Sequence, residues 1–162
     1  MDYLWSPWRY RYISSAPPID GCVFCAMAAV ADDRNNLIVW RGEHNFVVLN
    51  KYPYTSGHVM VVPYQHACEL GGISDVAAAE MMALARLTER HIRAVYRPDG
   101  LNLGMNIGAS AGAGIAGHIH MHVLPRWQAD ANFMTTIGET RVIPEDLETT
   151  WERLRAAFTA GV

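Results

Sequence analysis

The chain has 162 residues, 51% of them hydrophobic and 18% charged, with a formal net charge of −3 and a pI near 6.1. That balance suits one globular domain with a real core, and it argues against a disordered chain or a broad basic footprint for nucleic acid. No apolar run reaches the roughly 18 residues of a membrane span, and three cysteines are too few and too odd in number for a disulfide framework.

In chain order, residues 1–20 carry three prolines and many aromatics and read as an arm laid over a single domain spanning 21–162. The arm is aromatic and basic, without the apolar stretch of a signal peptide, so a cytoplasmic protein is expected. Leu37–Trp40 and Phe46–Leu49 read as short strands around a turn at Gly42-Glu43-His44-Asn45, and Val59–Val62 as a third strand closed by Pro63. Ser74 can cap a long helix through Val76, Met81, Leu84, Leu87, Ile92 and Val95, which ends at Arg97-Pro98-Asp99-Gly100. Leu101–Ile107 reads as a strand, joined by the glycine-rich stretch 108–117 to a last strand at 118–126. The short connection predicts an antiparallel hairpin. Pro144 opens a final helix through Leu147, Trp151, Leu154 and Phe158. The fold class expected is α+β, an antiparallel sheet with one long and one C-terminal helix.

The last strand carries the chemistry. His118, His120 and His122 alternate with Ile119, Met121 and Val123. A strand sends alternate side chains to opposite faces, so all three imidazoles share a face, spaced about 6.6 Å apart. Imidazole changes charge near neutral pH and serves as nucleophile or metal ligand, and a packing role would not call for three in succession. Four glycines in ten residues just before this strand let the backbone approach a ligand and offer N–H groups to an anion. Asn106 and Ser110 add polar groups, and the absence of Gly-Lys-Ser/Thr excludes a Walker A loop. Cys22-Val23-Phe24-Cys25 has the spacing of a zinc knuckle, but one pair gives two ligands where a closed site needs four. His66 and His118 are available to complete it. A thioredoxin-type redox pair or inert cysteines are the competing readings. Cys68 is expected to be buried, His91 to lie on a helix surface, and His44 in a turn.

The run His118-x-His120-x-His122-Val-Leu-Pro-Arg resembles the signature of the histidine-triad superfamily of nucleotide hydrolases and transferases. Ser56-Gly57-His58-Val59-Met60-Val61-Val62-Pro63 is similar to that family's Gly-His-x-Leu-Val-x-Pro strand, and Asn106-Ile107-Gly108 to its Asn-x-Gly. Leu4-Trp5-Ser6-Pro7-Trp8-Arg9 and Pro125–Met134 are similar to the Fhit-like diadenosine-polyphosphate branch, especially its bacterial diadenosine tetraphosphate phosphorylases. The resemblance implies catalytic residues His120, His122 and His58, with His120 the nucleophile, held in its tautomer by the His118 carbonyl. It implies nucleotide contacts at Asn50, Asn106, Ser110, Gly112 and Gly114, and a structural zinc on Cys22, Cys25, His66 and His118. It also implies a homodimer, and no metal in the chemistry. One departure stands out: where many family hydrolases carry a loop glutamine, this chain has Gly114, so water and inorganic phosphate both stay open as second acceptor. Cleavage of a nucleoside phosphoramidate, a slow-turnover nucleotide-binding module and a triad-bound catalytic zinc are the alternatives.

Overall fold

A computed structural model describes residues 21–132, residue 137 and residues 143–161. The arm at 1–20, and Phe133-Met134 of the second branch-specific segment, lie outside the described residues. The elements are α1 (Val23–Ala29), β1 (Ile38–Arg41), β2 (Asn45–Leu49), β3 (Val59–Pro63), α2 (Asp75–Tyr96), β4 (Gly100–Gly104), β5 (Met121–Arg126) and α3 (Leu147–Ala160). The five strands form one antiparallel sheet in the order β1-β2-β3-β5-β4, as the sequence predicts for the α+β class. No helix among the described residues is long and apolar enough to cross a membrane.

The alternation of the strands sorts the interior into two layers. Val39, Val47, Leu49, Val59, Val61, Ile119, Met121 and Val123 point to one face and bury it against α2 and α3. Ile38, Phe46, Val48, Met60 and Val62 point to the other, where Phe24 of α1 covers them. The histidines share this second face, because Met60 lies directly opposite His122 in the β3–β5 register.

Several boundaries differ from the sequence expectation, each for a physical reason. Helix α1 is unannounced by any apolar period. Seven residues without a side-chain cap would not hold alone. Phe24 anchors it, and Arg41 donates to the carbonyls of Ala28 at 3.0 Å and Val30 at 2.8 Å, groups that a helix end leaves unpaired. Strand β5 begins at Met121 rather than His118: its pairing with β3 stops at Val61 opposite Met121, although β3 itself runs on to Pro63. There the chain finds other partners: the Ile119 amide donates to the Ala67 carbonyl at 2.7 Å, and His118 Nε2 donates to the Pro63 carbonyl at 2.9 Å. Strand β4 stops at Gly104, opposite His122, instead of reaching Ile107. The connection is therefore no tight hairpin but residues 105–120, with a 3₁₀ turn at Ala109–Ala111. Helix α3 starts at Leu147 because the Asp146 side chain caps it, accepting from the Thr149 amide at 2.7 Å, and Pro144 stays outside.

Two residues sit contrary to expectation. Cys68 is exposed, in the loop that leads from β3 to α2. His91 is 1% exposed, its ring centroid 4.3 Å from that of Phe158. It lies on the stripe Met81, Leu84, Ala85, Thr88, His91 and Ile92, the inward face of α2. Burial, with Arg90 adding to it, lowers its pKa below the ordinary imidazole range.

The two outer strands end differently. On β1, Trp151 Nε1 donates to the Ile38 carbonyl and Arg155 Nη1 to the Val39 carbonyl, each at 2.9 Å. The outer side of β4 receives no such cover from α2 or α3, and its Leu103 is 45% exposed. Between β2 and β3, Gly57 takes φ +78°, and a Cβ there would come within 3.0 Å of the Tyr96 ring.

Two outcomes follow from this packing. Gly57→Ala should lower the unfolding free energy by at least about 1–2 kcal/mol from the left-handed backbone alone, read as a lower urea midpoint. His91 is held neutral when folded, so its contribution is complete above pH ~6.5 and is lost as pH falls below that, where the unfolded chain takes up the proton first. Stability measured from pH 7 down to 5 should therefore fall less steeply in His91→Phe than in the native protein; parallel curves would reject the assignment.

Candidate active site and metal centre

His118 stands where two sites meet. Its Nε2–H is committed to the Pro63 carbonyl, so Nδ1 carries the lone pair. That nitrogen lies 3.2 Å from Cys22 Sγ and 3.6 Å from Cys25 Sγ, and Cys25 Sγ lies 3.3 Å from His66 Nδ1. All four ligand atoms fall within 4.8 Å of one another. Cysteine and histidine are the usual ligands of structural zinc, and metal–ligand bonds of about 2.0–2.3 Å in a tetrahedron need ligand atoms roughly 3.3–3.8 Å apart. The donor set fits zinc. The His118 Nε2–H to backbone carbonyl bond is the outer-shell contact that usually fixes a ligating imidazole. Burial and the neighbouring Cys22 thiol raise the Cys25 pKa. A bound divalent cation would remove that cost by stabilising the thiolate.

The His118 main chain faces the other way. Its carbonyl accepts a hydrogen bond from His120 Nδ1 at 2.8 Å. This places the His120 proton on Nδ1 and the lone pair on Nε2. The ring is 4% exposed, with Phe24 at 5.1 Å between centroids. Burial lowers the His120 pKa, outweighing the carbonyl bond that pulls it up, so the imidazole stays neutral into mildly acidic solution.

His122 follows on the same face, its ring 4.9 Å from that of His120 in a T-shaped arrangement. His58, at the mouth of β3, brings Nε2 within 2.9 Å of His122 Nδ1. His58 Nδ1 accepts from the Tyr54 amide at 3.2 Å. The direction of the relay follows: the neutral His58 proton sits on Nε2 and is donated to His122 Nδ1, which leaves the His122 proton on Nε2. Asn50 closes β2 beside this pair, with Nδ2 at 3.4 Å from His58 Nε2 and Oδ1 accepting from the Tyr52 amide at 2.9 Å.

Thus Cys22, Cys25, His66 and His118 come together in one group, and His120, His122, His58 and Asn50 in the next. The glycine-rich loop is placed less directly. Ile115 packs on the Phe24 layer, which draws the loop over the histidine face. Within it, Asn106 Nδ2 donates to the Gly112 carbonyl at 3.5 Å, Ser110 lies exposed in the 3₁₀ turn, Gly112 takes φ +88°, and Gly114 is exposed. The amides of Ala111, Gly112 and Ala113 bond within the turn, so they do not yet form an anion cradle.

Tyr54 was not singled out from the sequence. Its ring lies 4.8 Å from that of His58 and 6.3 Å from that of His122. Neither was Phe24, whose ring is wedged beside His118 and His120. The position of Phe24 inside the Cys-x-x-Cys step was the one signal that could have marked it.

A HIT domain family model matches residues 32–129 of the chain. The chain is 44% identical over 154 residues to an AP-4-A phosphorylase of Mycobacterium tuberculosis, covering 91% of this chain and 79% of the relative. Among solved structures it resembles a zinc-bound histidine triad family protein from Mycobacterium smegmatis, with TM-score 0.70 and 31% identity, covering 86% of this chain and 94% of that one. It also resembles a hypothetical histidine triad nucleotide-binding protein from Sulfolobus tokodaii, with TM-score 0.69 and 27% identity, over 86% and 93% of the two chains.

The metal centre can be tested without any substrate. Elemental analysis of purified protein should find about one zinc per chain. Cys22→Ser with Cys25→Ser should abolish it and lower the melting temperature by at least about 5 °C. Zinc retained by that double variant would mean the metal sits elsewhere, for instance on the triad.

Proposed function

The chain belongs to the HIT domain family, and on that premise we propose that it splits a dinucleoside polyphosphate of the diadenosine tetraphosphate kind, with inorganic phosphate as second acceptor. The carrying observation is the 2.8 Å bond from His120 Nδ1 to the His118 carbonyl, which makes Nε2 the nucleophilic atom. In the first step Nε2 gives its lone pair to an α-phosphorus. The N–P bond forms as the bond to the bridging oxygen breaks, and ATP leaves. The Nδ1–H stays against the His118 carbonyl, which steadies the positive charge of the nucleotidyl-imidazole. In the second step a phosphate oxygen attacks the same phosphorus, the N–P bond breaks, and ADP is released. Covalent catalysis divides one hard displacement into two easier ones.

His122 offers Nε2–H to the oxygens where charge develops, and His58 fixes that tautomer from behind. A donor aimed in this way at developing charge contributes about 10²–10³ in rate. Asn50 is assigned to the ribose, and the amides and Ser110 of the loop at 108–117 to the phosphates, which requires the turn to open when substrate enters. The half-exposed edge of the Phe24 layer, Val23 and Met27, gives an apolar wall for a base. Zinc on Cys22, Cys25, His66 and His118 supplies rigidity when bound. With its ring so held, His118 would keep its backbone carbonyl fixed against His120 Nδ1, and the metal would supply no bond-making chemistry. The preference for phosphate over water rests on the likeness to the M. tuberculosis phosphorylase. Unpaired thiols support a reducing cytoplasm as its compartment, and the exposed β4 edge supports a homodimer joined there.

Incubation with diadenosine tetraphosphate should give ADP and ATP only when inorganic phosphate is present, as read by chromatography. AMP and ATP without phosphate would make it a hydrolase, and no turnover under either condition would overturn the reading. His120→Ala should lose at least about a thousandfold in rate; near-native turnover by that variant would remove His120 as the nucleophile.

A further inference from the structure

Beyond His122 on the same face of β5 lies a cavity of about 260 Å³ that the chemistry above does not use. Leu124 forms its floor, one pleat past His122, with Asn102 directly opposite in the β4–β5 register. Tyr54 forms the wall toward the triad and is the same ring that lies against His58 and His122. The cavity therefore lies next to the site at its His122 end, with the Tyr54 ring shared between them. Thr55 Oγ1 donates to the Pro125 carbonyl at 3.1 Å and ties this wall to β5.

The charges in the cavity decide what it suits. Arg126 is its cation, but Nε and Nη2 are held by the two oxygens of Asp130 at 2.6 and 2.7 Å. Arg126 Nη1 donates to Asn102 Oδ1 at 2.9 Å. The two charges offset each other, so the described residues that line the cavity carry no net positive charge to attract a phosphate. What it offers is an aromatic wall, an aliphatic floor and a fixed amide. With Oδ1 committed to Arg126, Asn102 presents Nδ2–H as a donor. A neutral, flat group with ring acceptors fits those features, as a nucleobase does.

We infer that this cavity, formed by Tyr54, Thr55, Asn102, Leu124 and the Arg126–Asp130 pair, binds the nucleoside of the leaving group, the half of a dinucleoside polyphosphate that His120 does not capture. The inference rests on the dinucleotide reading above and adds to it a reason for preferring dinucleotides: a mononucleoside polyphosphate leaves the cavity unfilled. The polyphosphate chain runs from His120 past His122, and the second base settles against Leu124 and Asn102.

The test is calorimetric binding to the His120→Ala protein, which holds substrate without cleaving it. The probes are diadenosine tetraphosphate and adenosine 5′-tetraphosphate, which lacks only the second nucleoside. The first should bind roughly tenfold more tightly, the size of one or two good contacts. Asn102→Ala, at an exposed position that the fold does not need, should erase that difference and leave adenosine tetraphosphate binding as it was. Leu124→Trp, which fills the floor, should do the same. Equal binding of the two probes to the intact cavity would overturn the inference, as would variants that weaken both probes alike. It would also fail if the variants, in a His120-containing background, raised only the KM for phosphate, since the cavity would then serve the acceptor. Failure of both probes to bind would instead strike the dinucleotide reading itself.

Discussion

His118 works through its main chain and its side chain in opposite directions, and the architecture around it serves to keep both in register. The carbonyl sets the His120 tautomer, and the ring closes a four-ligand group with Cys22, Cys25 and His66. Both functions need the peptide at 118–120 to be immobile. The early end of the β3–β5 pairing at Val61 and Met121 makes this possible: beyond it the Pro63 carbonyl accepts from the His118 ring. A proline at that point cannot donate to a ladder, so the sheet gives way there to a side-chain bond that fixes the ring's tautomer. The immobility is shared by α1, which Phe24, the cysteines and Arg41 hold against the same face.

The reactive end of the site obeys a similar economy of protons. From the Tyr54 amide to His58 and on to His122, the direction of the bonds is set by a backbone group, the Tyr54 amide. Burial keeps the His120 imidazole neutral into mildly acidic solution, and backbone bonds give the His120 and His58 rings a fixed direction.

Much of this was legible in the sequence, and the reasons are local. The triad's shared face follows from a period of two between apolar residues, and Ile119, Met121 and Val123 do fill the helix-side core. The length of α2 follows from the Ser74 cap and the Arg97-Pro98 stop. What escaped was decided by distant contacts or by weighing residue type above position. Helix α1 has no pattern of its own and depends on Arg41, thirteen residues past Ala28. His91 reads as a helix surface residue by its polar ring, although its spacing from Met81, Leu84 and Thr88 places it on the buried stripe. Tyr54 meets the triad only because the loop ahead of His58 folds back, which no spacing encodes. The amides of the glycine-rich loop turn inward on one another, a choice of turn that composition leaves undetermined.

The unequal treatment of the two outer strands has a consequence for assembly. Trp151 and Arg155 occupy the Ile38 and Val39 carbonyls of β1, so helix side chains already take up part of that strand's bonding capacity. The opposite side, at β4, lacks comparable cover from the packed helices. If two copies joined through β4, each would use its less covered side once, by a two-fold axis, and the β1 sides would lie outermost. Growth by sheet pairing would then halt at a pair. A chain open on both sides could add copies without end, and the partly occupied β1 edge would thus be a terminator against fibre formation as much as a support for the core.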